Sequence, residues 1–125
     1  MAPGPLIAVV DDDMSVREAL TGLLSAYGYR VDAYACGHDL LASPKLPGYA
    51  VFILDVQMPF IDGLQLQEEI LLTGAAAPII FLTSATEPGV RRRALARGAA
   101  AFLRKPFQGA ELLAQIELAL GPAGV

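Results

Sequence analysis

Four short apolar runs divide this chain, and each ends on a polar residue. Leu6-Ile7-Ala8-Val9-Val10 leads into Asp11-Asp12-Asp13, and Val51-Phe52-Ile53-Leu54 leads into Asp55. Ile79-Ile80-Phe81-Leu82 leads into Thr83-Ser84, and Ala101-Phe102-Leu103-Arg104 leads into Lys105-Pro106. Runs of four or five apolar residues without polar alternation suit strands covered on both faces. If they are parallel, every polar end emerges at one carboxyl edge of a single sheet, where open α/β folds place their sites. Acids, a hydroxyl and a lysine at one edge suit a phosphoryl group held with a divalent metal.

The intervening segments read as helices. Asp13 or Ser15 caps a helix running to Tyr27, with Val16, Leu20, Leu23 and Tyr27 on one face and Gly28 as its stop. Residues 29–34 form a second strand, and 38–43 a short helix before the Pro44–Pro47 loop. Gln57 to Gly63 is a loop, because Pro59 and Gly63 both break helix. Further helices cover about 64–72, 87–97 and 108–120, with Pro88 in a first turn and Gly74 and Gly98 as stops. The alternation βαβαβαβαβα predicts an α/β fold: a five-stranded parallel sheet flanked by helices on both faces, of (βα)5 flavodoxin-like type.

A chain of 125 residues with 54% hydrophobic content is one domain with a sizeable core, and Gly121 to Val125 reads as the start of a linker or tail. Its net charge of -4 argues against direct nucleic-acid binding by electrostatics. Cys36 is the only cysteine, which excludes an intrachain disulfide and fits a reducing compartment. No apolar stretch is long enough for a membrane span, and the first residues lack a signal-peptide pattern. A cytoplasmic location is the expectation.

At the strand ends, Asp55 is a carboxylate of the kind that accepts a phosphoryl group as an acyl phosphate. Asp11 and Asp12, one strand over, supply hard oxygen ligands for Mg2+. Clustered carboxylates raise one another's pKa values without a cation, which favours a filled metal site. Lys105 supplies a positive point charge and Thr83 a hydroxyl donor. Asp13 reads as a helix cap, Asp62 as a turn residue, and His38 as a surface residue.

These segments resemble the receiver domain of two-component response regulators, over essentially the whole chain. The resemblance rests on Val9-Val10-Asp11-Asp12-Asp13, Leu54-Asp55-Val56-Gln57-Met58-Pro59 with Asp62-Gly63, Leu82-Thr83-Ser84, and Lys105-Pro106-Phe107. It implies that a cognate histidine kinase phosphorylates Asp55. Asp12 then ligates Mg2+ directly, Asp11 acts largely through water, and the Gln57 carbonyl is a third protein ligand. Thr83, Ser84 and Lys105 contact the phosphoryl group, and Lys105–Pro106 is a cis peptide. Thr83 and Phe102 form the family's hydroxyl–aromatic switch, which reshapes the surface of the fourth helix and fifth strand.

The chemistry so implied is self-phosphorylation and autodephosphorylation, without multiple turnover. Ala85 and Gln57 stand where relatives tune phosphoryl lifetime, and Ala85 has no polar group to orient water, so slow autodephosphorylation is expected. The loop and the Lys105-Pro106-Phe107 ending most resemble the FixJ-like regulators, implying a C-terminal helix-turn-helix output domain and transcriptional control. Phosphorylation-dependent homodimerisation through the fourth helix and fifth strand is a further expectation. Arg91, Arg92 and Arg93 depart from the pattern: they are either a solvated helix face or a contact for acidic groups of a partner or second receiver.

Two rival functions remain: a pseudo-receiver that only binds proteins, and an aspartyl-nucleophile phosphatase. The phosphatase type wants a second Asp two positions after the nucleophile, where Gln57 stands. A flavodoxin-like flavin or nucleotide binder fits less well, since Asp11-Asp12-Asp13 repels a phosphate.

Overall fold

A computed structural model describes residues 4–121. The strands are β1 (Leu6–Val10), β2 (Arg30–Tyr34), β3 (Val51–Leu54), β4 (Ile79–Thr83) and β5 (Ala101–Arg104). The helices are α1 (Met14–Ala26), α2 (Gly37–Leu41), α3 (Gly63–Leu72), α4 (Val90–Ala96) and α5 (Gly109–Leu120), with a single 3-10 turn at Leu46–Gly48. All strand pairs are parallel, in the order β2-β1-β3-β4-β5. The chain leaves β1 in one direction to reach β2, then returns past it to β3. That reversal opens a crevice at the carboxyl ends of β1 and β3.

The period-two alternation of each strand divides the core. Ile7, Val9, Ile53, Ile80 and Leu82 pack under α1 and α5 with Leu20, Leu24, Leu112 and Ile116. Ala8, Val10, Phe52, Leu54 and Phe81 pack on the other side with Leu40, Leu66, Ile70, Val90 and Ala94. Because both faces are covered, strands β1, β3 and β4 read as continuous apolar runs.

The helix ends follow local chemistry. The Asp13 carboxylate accepts from the Ser15 amide and caps α1. Asp62 and Gln65 form a reciprocal capping box at the start of α3. Two expectations are corrected. The buried face of α1 runs through Leu20 and Leu24, with Val16 and Leu23 beside it, while Tyr27 lies past the helix and is 64% exposed. Helix α4 starts at Val90 rather than Glu87, because Gly89 takes φ 91°, a left-handed conformation that cannot continue a right-handed turn. The tail beyond Gly121, read as a linker, lies outside the described residues.

Candidate functional site

Strand register assembles the site. Val10 pairs with Leu54, and the Asp55 amide donates to the Val10 carbonyl at 3.0 Å, so Asp11 and Asp55 leave neighbouring strands side by side. Thr83 pairs with Arg104, and the Lys105 amide donates to the Thr83 carbonyl at 2.9 Å. Carboxylate oxygens of Asp11, Asp12 and Asp55 lie within 4.8 Å of one another. Asp11 and Asp55 are buried, while Asp12 is exposed.

Lys105 holds this acid pair together. Its Nζ lies 2.7 Å from Asp11 Oδ2 and 3.0 Å from Asp55 Oδ2. Burial pushes the Asp11 carboxyl above its ordinary range, and the Asp55 charge adds to this, against the Lys105 hydrogen bond and the Asp13 amide. For Lys105, burial acts downward, but the hydrogen bonds and charges of Asp11 and Asp55 outweigh it, so its ammonium is held above the usual lysine value. One ammonium thus neutralises only part of a cluster of three acids. The donor set is all oxygen and includes an exposed carboxylate on its open side, so it fits a hard divalent cation such as Mg2+.

The remaining expected residues divide into those drawn into the site and those left at its margin. Asp55 Oδ1 accepts from the Gln57 amide at 3.2 Å, while the Gln57 side chain is exposed. Thr83 is fully buried, and its Oγ1 accepts from the Ala85 amide at 3.1 Å. No hydrogen bond joins Thr83 to the carboxylates. Ser84 is exposed, and Phe102 is half-buried, its ring 5.9 Å from that of Phe81. The Lys105–Pro106 bond is cis, as expected. His38 is exposed and Cys36 half-buried, both away from this cluster's hydrogen bonds.

Three contributors escaped the sequence reading. Arg17 reaches back one turn from α1 to donate from Nη1 to the Asp11 carbonyl at 2.8 Å, pinning the acid loop. Gly63 is more than a helix breaker: it is the first residue of α3, and a Cβ there would stand 2.1 Å from the Asp55 carbonyl oxygen. Glycine is therefore required for α3 to pack against the end of β3 that carries Asp55. Phe60 sits at φ 71° in the same loop, a conformation that costs a residue other than glycine roughly 1–2 kcal/mol. A signal for Gly63 was present in the Asp-Gly pair; nothing in the sequence pattern marks the reach of Arg17.

The sequence profile of the response regulator receiver domain matches residues 7–117. This chain belongs to that family. Among relatives of the receiver domain, nodulation protein W of Bradyrhizobium diazoefficiens is 36% identical over 108 residues, covering 86% of this chain and 48% of that protein. The transcriptional regulatory protein TdiR of Thauera aromatica is 35% identical over 114 residues, covering 91% and 50%. The chain thus spans about half the length of the curated relatives it matches. In structure, the receiver domain superposes on the Vibrio cholerae chemotaxis protein CheY4 with a TM-score of 0.86 at 30% identity, covering 94% of this chain and 99% of that one. Receiver domains are signalling modules of response regulators, and several relatives of this one are named transcriptional regulators. No helix among the described residues is long and apolar enough to cross a membrane.

Proposed function

We propose that this receiver domain accepts a phosphoryl group on Asp55 from a cognate histidine kinase and passes the signal through α4 and β5 to an output domain or partner. The observation that carries the reading is the buried Asp55 carboxylate, 3.0 Å from the Lys105 ammonium and clustered with Asp11 and Asp12. In the transfer, the bond from phosphorus to the kinase histidine nitrogen breaks as one forms to an Asp55 oxygen, giving an acyl phosphate. Asp11, Asp12, Asp55 and the Gln57 carbonyl are the residues that would hold Mg2+. Bound there, the ion offsets the negative charge of the acids and of the transferred group.

The chain's own groups do the positioning. Lys105, kept charged by its carboxylate neighbours, exchanges a carboxylate contact for a phosphoryl oxygen. Thr83 accepts one hydrogen bond from Ala85, which leaves its hydroxyl proton free to donate to another phosphoryl oxygen. Ser84 lies at the exposed rim for a further contact. As Thr83 moves, half-buried Phe102 turns into the space vacated, and the α4–β5 surface changes. Swinging such an equilibrium from 1:99 to 99:1 takes about 5.5 kcal/mol of differential contact energy.

Residues 1–125 form a single receiver domain, with residues 121–125 entering a linker to a helix-turn-helix output domain. Relatives twice this length that include a named transcriptional regulator support that arrangement. A cytoplasmic location, phosphorylation-promoted pairing through α4 and β5, and slow autodephosphorylation complete the reading.

The test is intact mass after incubation with acetyl phosphate and Mg2+. Wild type is expected to gain one phosphoryl group, and Asp55→Ala or added EDTA to abolish the gain. If neither acetyl phosphate nor a histidine kinase labels the protein and beryllofluoride does not bind, the domain is a pseudo-receiver acting by contact alone.

A further inference from the structure

Among the described residues, Phe60 is the large apolar side chain that solvent covers most completely, at 92% exposure. Among the described residues it is also the only one other than glycine with positive φ. A phenyl ring presented to water from a backbone conformation that glycine adopts freely does nothing for folding. Beside it, the same β3–α3 loop forms part of an open cleft of about 450 Å³. Buried Val56, Leu64 and Val90 lie at the base of that cleft, but its exposed wall is mostly polar, and Asp62, Glu87 and Arg93 bring charges of both signs to it.

We propose that this face is a two-fold contact between copies of this chain, the Phe60 ring of each filling the cleft beside the β3–α3 loop of the other. The knob stands on the loop that forms one wall of the hole, so a single two-fold axis buries both rings at once. The charges are self-complementary in the same way. Arg93 of one copy meets the carboxylates beside the cleft of the other, whereas a partner of one sign would leave the opposite sign unpaired. A guanidinium at that position also stacks on an incoming aromatic ring.

This contact involves the β3–α3 loop with Val90 and Arg93 of α4, so it shares α4, but not β5, with the pairing through α4 and β5. It requires no phosphoryl group. Being confined to a loop and a cleft, it is smaller than a standard interface and makes a weak, concentration-dependent dimer. Gln57 lines the cleft, and its amide bonds Asp55 Oδ1, so pairing touches the loop that carries the acceptor.

The test is sedimentation velocity of the whole chain, without phosphodonor or beryllofluoride, from roughly 10 μM to 1 mM, the range of weak association. Wild type is expected to shift from monomer toward dimer. Phe60→Gly is expected to weaken pairing at least about twentyfold, as for loss of a central aromatic anchor, with a thermal midpoint no lower than wild type. Arg93→Glu weakens pairing as well, and Phe60→Leu weakens it less than glycine does. A wild type that stays monomeric throughout, or a Phe60→Gly variant that pairs as tightly, overturns the proposal. Because acceptor chemistry is read separately by mass, neither result bears on the phosphorylation of Asp55.

Discussion

Under α1 and α5 the buried side chains are aliphatic throughout: Ile7, Val9, Leu20, Leu24, Val51, Ile53, Ile80, Leu82, Leu103, Leu112, Leu113 and Ile116, with Ala101. Across the sheet, under α2, α3 and α4, the core takes in Tyr49 and a fully buried Gln67, with Tyr34 and Phe102 half-buried against it. Gln67 Nε2 donates to the Ala94 carbonyl of α4 at 3.0 Å, while its Oε1 has no partner. Tyr49 joins hydroxyls with Tyr34 and donates to Asp32 Oδ2 at 2.8 Å. The first face has long helices and no fully buried polar side chain, with Tyr29 half-buried at its margin. The second has the shortest helices and several polar groups whose partners fix one arrangement over another. Apolar contacts are non-directional, whereas a hydrogen bond holds only near one geometry, so the α3–α4 side is where two discrete packings can differ most in energy.

The comparison can be broken with paired substitutions. Gly63→Ala on the α3 side forces a methyl against the Asp55 carbonyl, and is expected to cost about 3 kcal/mol in urea unfolding, the upper range for overpacking. It should also abolish beryllofluoride binding, since the acceptor loop must move. Leu112→Ala on the α5 side is expected to cost a similar amount, about 3 kcal/mol, yet leave beryllofluoride binding intact in the folded fraction. Equal loss of binding in both variants would show that the two faces are not separable.

Two smaller effects sharpen the contrast. Gln67→Leu removes a buried carbonyl that lacks a partner, and Ala94 keeps its bond from the Ala99 amide. Stability should rise by about 1 kcal/mol, while amide exchange in α4 changes relative to α5. A drop in stability would mean that Oε1 is satisfied in solution. Tyr49 is shifted upward by burial, then by its hydrogen bonds to Tyr34 and Asp32. Its neutral phenol is therefore favoured in the folded state. That contribution is full below the ordinary value of 10.0 and is lost as pH rises above it toward the folded value. Urea unfolding above pH 10 should show a shallower alkaline loss in Tyr49→Phe than in wild type, with Tyr29 and Lys105, both shifted upward, supplying the slope that remains.

Much of this was legible in the chain because strands and stops announce themselves locally. Val51 to Leu54 read as a strand covered on both sides, with Asp55 at its end, and the structure has them so. Gly28, Gly74 and Gly98 ended their helices in the left-handed conformations expected of them. Local reading failed where a residue answers to something distant. Glu87 and Pro88 suit a first helical turn, but the backbone at Gly89 turns the other way. Tyr27 continues the spacing of α1, yet the sheet ends before it, and Leu24 takes the buried place.

The sequence by itself determined the alternation of strands and helices, the family, and the presence of acids, hydroxyl and lysine at one sheet edge. The alternation follows from hydrophobic periodicity, the common edge from parallel strands joined by helical crossovers, and the family from the motif residues at the strand ends. Only the tertiary structure decided that Lys105 bridges Asp11 and Asp55, that Arg17 clamps the Asp11 carbonyl, and that Gly63 must lack a side chain. It also decided that Gln67 ties α3 to α4 and that Phe60 faces water beside an open cleft. Each of these depends on distances between segments far apart in the chain, which no local pattern encodes and only packing sets.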